Sequence, residues 1–113
     1  MNDLLRPALY EAYHDIVPVM QPSVNQKNTV YDVVGPVCET GDTFAKSRTM
    51  HICKPGELVA FRSAGAYGAA MANEYNTRPL VPEVLVNNSD YSEIRERPTL
   101  DEIIGRDKIP NWL

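Results

Sequence analysis

Apolar and polar residues alternate in short stretches along this chain, and turn-forming residues separate the stretches. Residues 29–34 and 58–61 have the β-branched and aromatic content of short strands. Residues 80–86 and 91–96 predict two further strands, separated by the polar run 87–90. The chain has nine prolines and six glycines, which favour short elements joined by turns. We therefore expect a mainly β, α+β domain with short helices, arranged as a small β-sandwich or partial barrel.

The first half of the chain also contains one helical signal and two segments that fit a strand poorly. Residues 7–14 begin with a proline, which suits the first position of a helix, and Tyr10 and His14 would lie one turn apart on it. Residues 15–20 resemble a strand, but an internal proline assigns them to an edge or a bulge. The run 43–50 is more polar, and we expect a connection there.

Two further helices are predicted in the second half. Residues 63–76 are first glycine-rich and then alanine-rich, which indicates a loop leading into a helix. Near the carboxyl end, Thr99 and Glu102 form a capping-box pattern, and Gly105 marks the end of a short helix.

Composition limits the class of protein. A length of 113 residues suffices for one domain with a modest core, and 43% hydrophobic and 23% charged residues are ordinary for a soluble globular protein. The net charge of −4, without clustered lysines or arginines, argues against a nucleic-acid partner. No apolar run approaches the roughly 20 residues of a membrane span, and no signal-peptide pattern opens the chain. We expect a cytoplasmic protein with no membrane partner.

The cysteines and histidines give no metal site. Cys38 and Cys53 indicate free thiols in a reducing compartment, because the chain has no secretory feature. Neither cysteine has metal-ligand spacing, and His14 and His51 are far apart in the sequence.

The densest chemistry lies in residues 35–42, Gly-Pro-Val-Cys-Glu-Thr-Gly-Asp. The glycines allow a sharp turn, so that Cys38 and Glu39 could reach the same space. A thiol can donate a proton or act as a nucleophile, and a carboxylate can hold a substrate ammonium. From these residues alone, a second interpretation stays open, in which Cys38 is a small core residue and Glu39 is solvated.

Two other segments suit an anionic small molecule. Arg6 can bind a carboxylate bidentately, and the Tyr10 phenol can add a hydrogen bond. Residues 65–68, Gly-Ala-Tyr-Gly, carry Tyr67 at a predicted helix start, where backbone N–H groups favour anions such as phosphate. Each signal is weak alone, since a surface arginine and a packing tyrosine are the more common explanations.

In this order and spacing, three motifs closely resemble the diaminopimelate decarboxylases. These are Arg-Pro-Ala-Leu-Tyr at 6–10, Val-Gly-Pro-Val-Cys-Glu-Thr-Gly-Asp at 34–42 and Gly-Ala-Tyr-Gly at 65–68. That family belongs to the alanine-racemase-like, fold-type III class of decarboxylases that depend on pyridoxal 5′-phosphate (PLP). The resemblance runs from residue 1 to about residue 86, and residues 99–104 also resemble the family's carboxyl terminus.

The resemblance implies a particular domain organisation. Family members have an N-terminal α/β barrel, which carries the lysine that forms the Schiff base with PLP, followed by a β-rich domain. Because such a barrel needs roughly 200–250 residues, we expect it to be lacking here. Residues 1–20 would follow the last barrel strand as a substrate-binding helix and linker, and residues 21–113 would form the C-terminal β domain. This would explain why residues 1–7 show no element of their own.

The resemblance also implies a role for each matching residue. Cys38 would be catalytic and would donate a proton after CO₂ leaves. Arg6 and Tyr10 would bind a substrate carboxylate, and Glu39 would hold the ammonium at the distal end. Tyr67 would contact both the substrate and the cofactor phosphate.

The implied reaction converts meso-2,6-diaminopimelate to L-lysine and CO₂, the last step of lysine biosynthesis. Diaminopimelate and lysine would be the ligands, PLP the cofactor, and a homodimer the assembly, with the Cys-Glu loop entering the partner's site. Thr40 stands where the family usually has serine, which retains the hydroxyl. None of the four lysines resembles the Schiff-base lysine, so we expect the isolated chain to be inactive; they are Lys27, Lys46, Lys54 and Lys108.

Three alternatives remain. The chain could be a non-catalytic, stand-alone β-domain binding module. It could belong to a related PLP decarboxylase that acts on ornithine, arginine or carboxynorspermidine, although the glutamate after Cys38 argues against this. A cysteine hydrolase built on Cys38 and a histidine is the weakest of the three.

Overall fold

The computed structural model describes residues 5–113 of the chain, and they form two compact units. The first unit extends to Ala72, and the second comprises Asn73–Leu113. The expectation for residues 1–7 lies partly outside the described residues. A functional boundary near residue 20 stays a prediction, because it concerns the relation to a barrel.

The first unit is built from two antiparallel strand pairs. Strand β1 (Ile16–Pro18) pairs with β4 (Val59–Phe61), with Ile16 opposite Phe61 and Pro18 opposite Val59. Strand β2 (Asn28–Val34) pairs with β3 (Thr43–His51), with Asn28 opposite His51 at one end and Val34 opposite Thr43 at the other. The elements of this unit are, in order, a 3₁₀ turn (Pro7–Tyr10), β1 (Ile16–Pro18), β2 (Asn28–Val34), β3 (Thr43–His51), β4 (Val59–Phe61) and helix α1 (Gly65–Ala70).

Strand β3 corrects the expectation of a polar connection over residues 43–50. Lys46, Ser47 and Thr49 are exposed, while Phe44 is buried. Backbone hydrogen bonds to β2 stabilise the segment, and this non-local pairing is not visible in local composition. The pair contains a bulge where Ser47, with φ 49°, donates its backbone N–H to Asp32 Oδ1 at 2.8 Å.

The predicted helix over residues 7–14 is wrong in length. Only Pro7–Tyr10 form a 3₁₀ turn, flanked by Arg6 with φ 48° and Glu11 with φ 51°. Both flanking residues are in the left-handed region, which costs a non-glycine residue about 1–2 kcal/mol and stops an α-helix. Arg6 therefore stands at a strained corner of the backbone that the surrounding packing must maintain.

The core of the first unit is small. Leu5, Ile16 and Phe44 are its buried hydrophobic residues. Phe44 packs against Phe61 with ring centroids 4.9 Å apart, which connects β3 to β4. Partly buried side chains of both strand pairs, such as Val33 and Val59, pack against this cluster.

The second unit contains one hairpin and a capped helix. Pro82 cannot donate a hydrogen bond to a ladder, and the strand predicted from residue 80 begins only after it. Thr99 and Glu102 form the predicted capping box. The elements are a 3₁₀ turn (Tyr75–Thr77), β5 (Glu83–Asn87), β6 (Asp90–Arg95) and α2 (Leu100–Ile104).

The expectation of a mainly β fold with short helices is confirmed. All three strand pairs are two-stranded and antiparallel, so no closed barrel occurs within residues 5–113. No helix of the described part is long and apolar enough to cross a membrane. Over the same residues, no three His, Cys, Asp or Glu side chains are grouped so that they could hold a metal ion.

Candidate active site

The loop at residues 35–42 is held in shape by a buried carboxylate. Asp42 is 3% exposed, and its Oδ2 accepts the backbone N–H of Val37 at 3.0 Å. The Gly35 N–H donates to the Asp42 carbonyl at 2.7 Å, which closes the loop across its base. A β-carbon on Gly35 would overlap the Asp42 carboxylate, so only glycine fits there. The loop is consequently a fixed turn that presents Cys38 and Glu39.

Glu39 turns back toward the start of the chain and pairs with Arg6. Arg6 Nη2 donates to Glu39 Oε2 at 3.2 Å, and the two side chains are 37% and 30% exposed. The other carboxylate oxygen, Oε1, accepts the Gly41 N–H at 2.9 Å. A β-carbon on Gly41 would stand 2.6 Å from Glu39 Oε2, so a larger residue there would displace the Glu39 carboxylate.

Arg6 has a hydrogen-bond donor that is not used within the described residues. Its Nε atom is buried and lacks a hydrogen-bond partner among residues 5–113. Because a guanidinium has five N–H donors in a fixed fork, Arg6 retains donors for a second carboxylate.

Cys38 is the exposed thiol of the chain. It lies in the loop between Val37, whose N–H donates to Asp42, and Glu39, and it is exposed. The alternative in which Cys38 is a small core residue is therefore wrong. The second cysteine, Cys53, is half-buried, and its thiol donates to the His51 carbonyl at 3.4 Å.

Two of the predicted site residues stack on each other. The rings of Tyr10 and Tyr67 are 8° from parallel with centroids 4.0 Å apart. Burial raises the pKa of Tyr10, and the neighbouring Tyr67 phenol raises it further. Tyr10 donates its hydroxyl proton to the Leu5 carbonyl at 2.9 Å. Tyr67 is 46% exposed.

A groove of about 500 Å³ opens beside the Arg6–Glu39 region. Its walls combine apolar side chains with three cationic residues, which gives it a positive character suited to an anionic small molecule. The lining residues are Arg6, Pro7, Ala8, Leu9, Ala12, Thr40, Gly41, Thr43, Phe44, Ala45, Lys46 and Arg48.

The five predicted site residues thus lie in two clusters. Arg6 and Glu39 form one, with Cys38 beside it in the loop, and Tyr10 and Tyr67 form the other. Sequence reasoning did not find that Asp42 organises the loop. The sequence did contain a signal for this role, because Gly35 and Asp42 stand at the two ends of the turn that joins two strands.

Comparison with known proteins identifies the class. The model of the pyridoxal-dependent decarboxylase C-terminal sheet domain matches residues 1–65, more than half of the chain. The chain therefore belongs to this family.

Individual relatives and solved structures are similar to most or all of this chain. A diaminopimelate decarboxylase of Zymomonas mobilis is 48% identical over 113 residues, which is all of this chain and 26% of that protein. The crystal structure of the M. jannaschii diaminopimelate decarboxylase with L-lysine superposes with a TM-score of 0.85 at 38% identity, covering 100% of this chain and 25% of that one. The Helicobacter pylori enzyme with L-lysine gives 0.79 at 40% identity over 94% of this chain and 26% of that one. This chain spans about a quarter of the length of these relatives.

The residues present fit a share in holding PLP. Tyr67 offers an exposed phenol, a suitable donor to a phosphate oxygen. All four lysines are exposed, although a Schiff-base lysine is normally kept from water; they are Lys27, Lys46, Lys54 and Lys108. The chain therefore fits contact with one end of the cofactor and not its covalent attachment.

Proposed function

We propose that this chain supplies part of the active site of a PLP-dependent decarboxylase that converts meso-2,6-diaminopimelate to L-lysine and CO₂. The observation that carries the proposal is the ion pair that joins Arg6 to Glu39, on the loop that exposes Cys38. A group that binds carboxylates is thereby held against the fixed turn that carries a group that binds ammonium ions and a proton donor. The relatives at 48–50% identity are named diaminopimelate decarboxylases, which supports the choice of reaction.

Substrate binding exchanges one ion pair for two. The Arg6–Glu39 pair is partly exposed, and pairs of this kind contribute about 0–1 kcal/mol. A ligand that offers a carboxylate to Arg6 and an ammonium to Glu39 replaces it at little cost, because each charged group exchanges one partner for another. For Tyr10 to donate to the same carboxylate, its hydroxyl must leave the Leu5 carbonyl.

Glu39 gives selectivity by charge. Diaminopimelate has an ammonium at its distal end, whereas a substrate without one leaves the Glu39 carboxylate unmatched once Arg6 is engaged elsewhere. Such discrimination depends on a carboxylate fixed in place, and the Gly41 N–H provides the fixing hydrogen bond.

Cys38 completes the reaction. When bound, PLP supplies an electron sink for the carbon that loses CO₂. The Cys38 Sγ–H group donates its proton to that carbon, and the resulting thiolate regains a proton from water. Tyr67 contacts the cofactor phosphate and the substrate and is oriented by its stacking on Tyr10.

The assembly belongs to the proposal as well. A cytoplasmic homodimer would let the Cys38 loop of one subunit enter the site of its partner, so that the Arg6–Glu39 pair within each chain opens and the ligand lies between Glu39 of one subunit and Arg6 of the other. A mixture of two full-length chimeras, in which a relative supplies the barrel, tests this. One chimera carries Cys38→Ala, and the other has the barrel lysine replaced. Shared sites predict recovery of roughly a quarter of the activity, since half of randomly re-formed dimers are mixed and each has one intact site. No recovery would contradict sharing.

A chimera tests the function directly. In it, this chain replaces the matching 26% of the Zymomonas mobilis relative, and lysine formation from diaminopimelate is measured. We expect turnover of diaminopimelate and much weaker turnover of ornithine, arginine and carboxynorspermidine. A folded chimera that binds PLP but releases no CO₂ from diaminopimelate would favour a non-catalytic module, and a preference for ornithine would favour a related decarboxylase.

A further inference from the structure

His14 is the buried imidazole of the first unit. It is 5% exposed and lies four residues after Tyr10, just before strand β1. Its Nε2 is 3.3 Å from the Tyr10 hydroxyl oxygen, and the two rings meet edge to face with centroids 6.1 Å apart. On the other side, Nδ1 is 3.3 Å from the Arg62 carbonyl oxygen. Both ring nitrogens therefore face polar protein atoms.

These contacts join the two segments that carry the stacked tyrosines. Tyr10 stands at the end of the first 3₁₀ turn, and Arg62 follows strand β4 and precedes helix α1, which carries Tyr67. The backbone at this junction is tied as well, because the Arg62 N–H donates to the Asp15 carbonyl at 2.8 Å. Arg48 Nη1 donates to the His14 carbonyl at 2.9 Å and anchors the histidine itself to strand β3.

The hydroxyl of Tyr10 needs a second partner for its orientation to be fixed. The Arg62 carbonyl can only accept, so a neutral imidazole at His14 donates to it through Nδ1–H and presents Nε2 as an acceptor. The Tyr10 hydroxyl lies within hydrogen-bond distance of both Nε2 and the Leu5 carbonyl and can donate its proton to either. Contacts on two sides fix the position of the hydroxyl oxygen and thereby hold the half-buried Tyr10 ring beside Tyr67.

We infer that His14 is a positioning residue, which holds Tyr10 against Tyr67 and thereby sets the ligand-facing edge of the site. The part of the inference that concerns the ring geometry is supported by the contacts above. The part that concerns substrate binding rests on the proposed function. His14 touches neither substrate nor cofactor in this account and acts only through Tyr10.

Ring-to-ring nuclear Overhauser effects between Tyr10 and Tyr67 test the geometry in the full 113-residue chain. We expect them to be strong in the wild type and in His14→Gln, whose amide reaches the position of Nε2. They should be lost in His14→Leu and in His14→Asn, whose amide reaches only the position of Nδ1. The control is His51→Leu at the other histidine, which should leave them unchanged. Wild-type intensities in both His14→Leu and His14→Asn would overturn the inference, and if His14→Leu does not fold, His14→Asn decides.

A double-mutant cycle in the chimera tests the effect on binding. His14→Asn should raise KM for diaminopimelate about tenfold, as expected for one lost buried hydrogen bond, and leave kcat within about twofold. In a Tyr10→Phe background the same change should have almost no further effect. An undiminished KM effect in that background would contradict a role through Tyr10. An inactive wild-type chimera would count against the proposed function, while the ring measurements would still decide the role of His14.

Discussion

The Asp42 carboxylate occupies the space beside Gly35 that a β-carbon would need, so these two residues together determine the shape of the Cys38 loop. The contact is internal to the turn, since the Gly35 N–H also donates to the Asp42 carbonyl. Gly35 and Asp42 are thus a structural requirement for the chemistry that the loop presents.

Gly35→Ala should therefore destabilise the chain. The added methyl group must displace the buried carboxylate, and overpacking of this kind costs about 1–3 kcal/mol in the free energy of unfolding. Urea denaturation followed by circular dichroism measures the change. Gly65→Ala is the matched control, because a β-carbon there meets nothing within 4 Å and alanine favours a helix. Equal stability of the two variants would contradict the proposed role of Gly35.

Glu39→Gln should weaken selection for a doubly ammonium-bearing substrate. The amide keeps the size of the side chain but loses the charge that holds Arg6 and, by proposal, the distal ammonium. Because a hydrogen bond to a charged group contributes about 1.5–3 kcal/mol, we expect kcat/KM for diaminopimelate to fall about 10- to 100-fold in the chimera. Glu93→Gln on the exposed face of β6 is the control and should change nothing. If the Glu39→Gln variant keeps its preference for a substrate with two ammonium groups, another group must bind the distal ammonium.

Glu102 gives a pH dependence that is confined to helix α2. The Thr99 backbone N–H and hydroxyl donate to its carboxylate and hold the pKa of Glu102 below its usual value. A lowered pKa in the folded state means that this stabilisation is present above the pKa of the unfolded side chain and is lost as pH falls through the lowered one. Thr99→Ala should raise the pKa of Glu102 toward its ordinary value, which ¹³C NMR titration of the carboxyl carbon measures. An unchanged value would contradict the capping box.

The isolated 113-residue chain should bind no PLP covalently. All four of its lysines are exposed, and none resembles the family's Schiff-base lysine. Incubation with PLP, borohydride reduction and peptide mass spectrometry should therefore find no stoichiometric adduct at one lysine. A single lysine labelled to completion would mean that the chain holds its own cofactor.

The fold could be predicted from the sequence where the signal is local. The capping box of Thr99 and Glu102 and the strand Val59–Phe61 depend on neighbouring residues, and both were found. Strand β3 was missed because its polar side chains suit a connection equally well, and only its pairing with β2 makes it a strand. The helix predicted from Pro7 is too long, because residue type alone does not indicate that Glu11 adopts the left-handed conformation that ends the turn.

The candidate site was predicted from motifs, and the contacts within it were not. Arg6 and Glu39 lie 33 positions apart, and their pairing depends on the tertiary fold. The edge-to-face contact of Tyr10 and His14 matches the expectation that they share a face, but a 3₁₀ turn and not a helix brings them together. The individual roles of Cys38, Arg6, Tyr10, Glu39 and Tyr67 stay predictions.

The kinetic effect of Cys38→Ala in the chimera tests the central claim most directly. If Cys38 donates the proton to the carbon that has lost CO₂, kcat for lysine formation should fall by about 10²–10⁴-fold while KM for diaminopimelate changes little. Cys53→Ala, at the half-buried thiol, is the control and should keep both constants near the wild type. A kcat that stays within twofold of the wild type, or losses shared equally between kcat and binding, would contradict Cys38 as the proton donor.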